Sequence, residues 1–200
     1  MKRIAKVLLV VIIALSLSGC EVLNQMATQT QQMLNLKNCN FDVTGLNQVE
    51  MFGLTLDKNM KKEDLSVGQL LQLTNAIREK KLPISFNVNM NVDNPNDIPA
   101  SMSKMDYIIA LNGKEVISST LSQGINVNAK SQSAISIPVS TDLFQLFSGE
   151  TADAIVNLAF KLAGASSNPV DLSVKVKPYI KINNQALAYP DYITLNKTLN

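Results

Sequence analysis

The sequence predicts an all-β domain, an antiparallel β-sandwich with two added helices. Three observations carry this. Residues Ile84 to Val92 alternate strictly between apolar side chains and Ser or Asn, and the alternate positions from Val170 to Ile182 are all apolar. Between two further alternating runs stands Asn112-Gly113. Period-two alternation turns one strand face to a core and the other to water. Asn-Gly supplies the two positive-φ residues of a tight hairpin turn.

The chain begins with what reads as a processing signal. Lys2, Arg3 and Lys6 precede the apolar run Val7 to Leu17, which is too short to cross a bilayer core as a permanent helix. The run ends in Leu17-Ser18-Gly19-Cys20, which resembles the bacterial lipobox. That resemblance implies cleavage before Cys20, a diacylglyceryl group on its thiol and a membrane anchor of two or three acyl chains. The expected organisation is a signal peptide at 1–19, a lipidated N-terminus and polar linker at 20–38, and a domain at 39–200. The expected location is the cell envelope. Glu21 is not the aspartate associated with inner-membrane retention, which favours the outer membrane in a Gram-negative host.

Cleavage also reverses the charge. The whole chain is +2, with 18 basic and 16 acidic residues. Loss of Lys2, Arg3 and Lys6, with no acid, leaves 15 against 16, a net −1. No basic patch for nucleic acid and no polybasic stretch for anionic lipid stands out in the mature sequence. The expected partners are the membrane, through the acyl chains, and a lipid ligand or an envelope protein. Nucleic acid is not expected.

Along the domain, Phe41, Val43, Val49, Met51, Leu54 and Leu56 predict a first strand or pair, interrupted near Gly45 and Gly53. Ser66 can cap a helix to about Lys80, with Leu70, Leu71, Leu73, Thr74 and Ile77 on one broad face and Pro83 beyond its end. The strand 84–92 follows, then a turn at Asp93 to Asp97. Met105, Tyr107, Ile109 and Leu111 alternate into the Asn112-Gly113 turn. Val116–Leu121, Ile125–Asn128 and Ile135–Val139 supply further strands, with Pro138 indicating an edge position or a strand end. Ser140 or Thr141 can cap a short helical stretch near Asp142 to Phe147. A second helix is expected from about Thr151 to Ala163, stopped by Gly164. The strand 170–182 closes through Asn183-Asn184 onto a final strand ending near Leu199.

Little in the sequence carries chemistry. There is no histidine and no tryptophan, which removes the commonest general base and transition-metal ligand. No phosphate loop, nucleophile elbow or zinc spacing occurs. No catalytic residue, metal ligand or cofactor is therefore expected. Cys39 has no partner once Cys20 is lipidated, and reads as a small buried apolar residue. Asp93, Asn94, Asn96 and Asp97 read as a turn around Pro95 rather than a calcium loop. Met51, Met90, Met102 and Met105 read as core. The alternative to a structural or protective role is an acyl-chain groove between sheet and helices, lined by Phe86, Met90, Ile155 and Phe160.

The stretch Ile84 to about Val139 resembles the late-embryogenesis-abundant type 2 domain, also called the WHy (water stress and hypersensitive response) domain. The resemblance rests on the alternating strand, Asn94-Pro95-Asn96, Ile98-Pro99, Met105-Asp106-Tyr107, Leu111-Asn112-Gly113-Lys114 and the strand Ile135 to Val139. Val174 to Ile182 and Ala188-Tyr189-Pro190 are compatible with lipoprotein relatives. The two helices depart from the minimal pattern. The resemblance implies an immunoglobulin- or fibronectin-III-like sandwich without catalytic residues, and a link to desiccation and stress protection. Some relatives have been proposed to bind or transfer lipid.

Overall fold

The computed structural model describes residues 35–165, 169–182 and 185–199, together with Gln31. Cys20 with its lipobox, and the Asn183-Asn184 turn, lie outside the described residues. The described strands are β1 (Asn40–Met51), β2 (Leu54–Thr55), β3 (Pro83–Asn94), β4 (Ala100–Met102), β5 (Lys104–Leu111), β6 (Lys114–Leu121), β7 (Ile125–Val127), β8 (Ser131–Asp142), β9 (Val170–Ile182), β10 (Gln185–Ala188) and β11 (Ile193–Leu199). Among the described residues the helices include α1 (Val67–Glu79), α2 (Leu143–Leu146) and α3 (Ala152–Leu162), with a 3-10 turn at Lys62–Asp64, and residues 35–37 are also helical.

Two antiparallel sheets form the sandwich. The first has strand order β2-β1-β3-β8, and the second β10-β9-β5-β6 with β11 also paired to β9. A short β4–β7 ribbon accompanies them. The sequence pattern predicts the sandwich, and this distribution of strands is the immunoglobulin- or fibronectin-III-like form that the resemblance implies. Ile84, Phe86, Val88, Met90 and Val92 of β3 are all at most 2% exposed. They share one core with Met105, Ile109 and Leu111 of β5 and with Val170, Leu172, Val174 and Val176 of β9. Full burial of each such side chain contributes roughly 1.5–3 kcal/mol, so the inward rows of β3, β5 and β9 dominate the stability.

The strand interruptions have local causes. β1 continues through a bulge between Val43 and Gly45 and another between Asn47 and Glu50, then turns at Phe52-Gly53 into β2. Asn112 and Gly113 have φ of 48° and 77°, the two left-handed residues that a two-residue hairpin requires. Pro138 sits mid-strand in β8, opposite Asn87, and β8 is an edge strand. Pro178 is buried inside β9, where a missing N–H normally breaks a ladder. Here β11 pairs with residues up to Val176 and β10 with residues from Tyr179, so Pro178 falls between the two partners. Its carbonyl accepts from Tyr189 N at 2.8 Å.

Three expectations change. On α1, Leu73 and Ala76 are buried, whereas Leu70 is 41%, Leu71 62% and Val67 77% exposed. The helix has two apolar stripes at i, i+3, i+4 spacing, and periodicity alone does not choose between them. The cap of α2 is Asp142, whose Oδ1 accepts from Phe144 N and Gln145 N, in place of Ser140 or Thr141. The final strand is two strands, β10 and β11. The α1 and α3 starts are as predicted, with Ser66 and Gln69 forming a capping box and Thr151 accepting from Ala154 N.

Candidate interaction surfaces and clefts

The register divides the sandwich into two ends. β3 starts at Pro83 opposite Asp142 of β8, the end that carries the helices, and finishes at Asn94 opposite Ser131. The N-terminal segment enters at the Asn94 end. Asn35 and Leu36 are 4% and 2% exposed, and Asn35 Nδ2 donates to Pro99 O at 3.3 Å. Asn96 Nδ2 donates to Asn35 O at 2.9 Å. Asn94, fully buried, donates to the carbonyls of Ile98, Val127 and Asn128, each at 3.0 Å, and accepts from Asn96 N at 3.1 Å. The Asn-Pro-Asn turn is thus a polar hub that fixes where the N-terminal segment leaves the domain.

Asp97 is paired with Lys130 at 3.1 Å and Asp93 accepts from Asn40. Among the described residues no group of three or more His, Cys, Asp or Glu could hold a metal ion. Cys39 is buried, with Sγ donating to Asn35 O at 3.3 Å. Burial first, and the Asp93 charge second, push its thiol pKa up, which leaves it a poor nucleophile at neutral pH.

Phe86, Met90, Ile155 and Phe160 are all at most 5% exposed, within the one core. Phe160 borders a cleft of about 420 Å³ with Met60, Lys61, Lys62, Asp153 and Asn157. Ile155 borders a separate one of about 250 Å³ beside Lys114 and Phe147. Neither cleft reaches Phe86 or Met90, so these clefts do not bring the four residues together. A third cleft, about 340 Å³, lies over the end of α3 and takes Lys58, Lys161 and Lys197.

The strands of the two sheets differ in the charges they carry. Strands β1, β2, β3 and β8 contain Asp42, Glu50, Asp93 and Asp142 and no Lys or Arg. Their outward rows are amides and hydroxyls, with Asn87 donating to Gln48 and Ser136 to Asn89. The second sheet contains Lys104, Lys114, Lys175, Lys177, Lys181 and Lys197 against Asp106, Glu115 and Asp171. Four of those lysines, Lys104, Lys175, Lys177 and Lys181, share its outer face with Tyr179 and with three acids, Asp106, Glu115 and Asp171, as the register requires; Glu115 and Asp171 lie toward the helix-bearing end. The expectation of no basic patch is therefore corrected. Along β9 the lysines alternate with core residues, so the sequence shows no basic run and the sheet assembles one.

At the centre of that face, Tyr179 donates its hydroxyl to Asp106 at 2.5 Å and Thr120 donates to Asp106 at 2.6 Å. Lys104 Nζ lies 4.2 Å from the Tyr179 ring centroid. The Thr120 bond first, and the Tyr179 bond second, hold the Asp106 carboxyl below its usual range. The Asp106 bond is the main cause of a raised Tyr179 pKa. Asp106 therefore favours the folded state above the ordinary carboxylate pKa of about 3.9, and that contribution fades as the pH falls through its lower folded value. Asp106→Asn is expected to bring Tyr179 ionisation down toward the ordinary tyrosine value. Ultraviolet titration of the variant against the parent checks this, and an unchanged tyrosine curve would show the bond is not made in solution.

Two antiparallel sheets around one packed core define a β-sandwich domain. Residues 89–187, from mid-β3 into β10, match the family described as late embryogenesis abundant protein, LEA_2. No curated protein matches the chain. Similar solved structures include a protein from Archaeoglobus fulgidus, 13% identical with a TM-score of 0.33, covering 77% of this chain and 95% of that one. An Arabidopsis thaliana protein is 14% identical with a TM-score of 0.40, covering 60% and 72%. A late embryogenesis abundant (LEA) protein is 10% identical with a TM-score of 0.37, covering 92% and 80%.

Proposed function

We propose that this chain is a lipid-anchored envelope protein whose LEA-2 domain works without catalysis, as a protective or structural element under stress. The LEA_2 match over residues 89–187 carries the stress-related reading. The tetrad Leu17-Ser18-Gly19-Cys20 supports the anchor. A packed interior favours this role over acyl-chain binding, because Phe86 and Met90 are core residues.

Deletion of the gene is expected to lower survival of drying and osmotic shock, with recovery by the lipidated chain and not by Cys20→Ser. Incorporation of labelled palmitate should vanish in Cys20→Ser. Normal survival of the deletion strain would sink the protective role, and an unlabelled parent chain would sink the anchor.

A further inference from the structure

We infer that the outer β9–β5 face of the second sheet is a docking surface for a bilayer bearing anionic phospholipid. Lys104, Lys175, Lys177 and Lys181 project from two adjacent strands, with Asp106 the acid among them. Asp171 and Glu115 lie toward the helix-bearing end, where Leu111 pairs with Leu172 and Lys114. Asp191 stands on the loop beside Tyr192. The opposite sheet carries only acids among its charged residues, so this lysine cluster, four lysines around Asp106, is the positive part of the two outer faces.

Two further observations select a bilayer. Lys104 and Tyr179 lie at the Asn94 end, where the N-terminal segment enters, so that segment and the basic face converge on one end of the domain. Tyr179 and Tyr192 stand with Lys104 and Lys177 over their rings at 4.2 Å and 5.6 Å, the pairing of amphipathic ring and cation that suits a headgroup layer. A nucleic-acid surface would be expected to use arginine forks, and the second sheet has no arginine. Lysines held near an anionic leaflet each gain about 1 kcal/mol, within a Debye length.

The inference rests on the membrane location proposed above, but its test does not use the lipid anchor. Chain 21–200 retains every described core residue, all within 35–199. It is sedimented with vesicles of phosphatidylcholine alone or mixed with phosphatidylglycerol, at low and high salt. Binding is expected only to the anionic vesicles at low salt, weakening about fivefold for each lysine changed to Gln. The variant with Lys104, Lys175, Lys177 and Lys181 all changed to Gln should fall to the neutral-vesicle level. Changing Lys58, Lys161 and Lys197 to Gln should leave binding intact. If the fourfold variant melts early, Lys175→Gln and Lys181→Gln, both exposed, carry the test singly.

Equal binding to neutral vesicles, equal loss in the Lys58/Lys161/Lys197 variant, or tighter binding to duplex DNA would overturn the proposal. Vesicle binding by a chain that takes up no palmitate would leave the face standing and remove the anchor. Palmitate uptake without vesicle binding would do the reverse.

Discussion

Phe86→Ala is expected to cost about 3–5 kcal/mol of folding stability. Phe86 is 2% exposed on β3, between β1 and β8, and stands opposite Val139. Removing the ring leaves a cavity that a central strand, hydrogen-bonded on both sides, cannot collapse around. For a domain of this size, each kcal/mol lowers the melting midpoint by about 2–4 °C, so a drop of roughly 6–20 °C is expected by circular dichroism. The same substitution separates the two readings of Phe86. A residue lining an open acyl-chain groove would cost little stability and much lipid affinity. A loss below about 1 kcal/mol, with reduced fatty-acid binding, would remove Phe86 from the core and restore the groove.

The strands are the legible part of this fold. β3, β5 and β9 each bury one face, so their apolar residues recur at every second position, and nothing in their surroundings competes with that signal. Ser66 and Thr151 are legible as helix starts because capping is local. Local chemistry also marks Asn112-Gly113. What depends on distant packing is not legible. Which stripe of α1 turns inward is decided by the neighbouring strands, and the exposed Leu70 and Leu71 look the same in sequence as the buried Leu73. β4 is only three residues long and is held by β7, too short for a period to show.

The surfaces are harder still. Lys175, Lys177 and Lys181 are visible as outward positions of one strand, but Lys104 joins them only through the β5–β9 register. A basic patch of this kind has no linear signature, because every second residue along β9 belongs to the core. The missing cations of the first sheet are likewise a property of strands that are distant in sequence. Phe86, Met90, Ile155 and Phe160 all lie in the core, because apolar residues on facing elements more often meet each other than leave room for a ligand.

Asn94 is the residue whose loss should tell most about the N-terminal end. Its amide has two hydrogens and serves three carbonyls at 3.0 Å, while its Oδ1 accepts from Asn96. Asn94→Ala removes the donor from the buried Val127 carbonyl and from Ile98 O, while Asn128 O keeps Ser131 Oγ, at about 1–3 kcal/mol for each buried group left unsatisfied. A total near ~3 kcal/mol is expected in urea unfolding. Asn94→Asp keeps the shape but, when ionised, presents only acceptors to three carbonyl oxygens. That surrounding raises the folded carboxyl pKa, so its proton is held more tightly in the folded state. The Asp variant's deficit should therefore be smallest in acid and grow as the pH rises above about 3.9. A deficit independent of pH would mean the amide does not face the carbonyls. Because Asn96 ties Asn35 to the same hub, both variants should also release the residues before β1. Trypsin should then cut faster after the exposed Lys37, while the helix-bearing end stays protected.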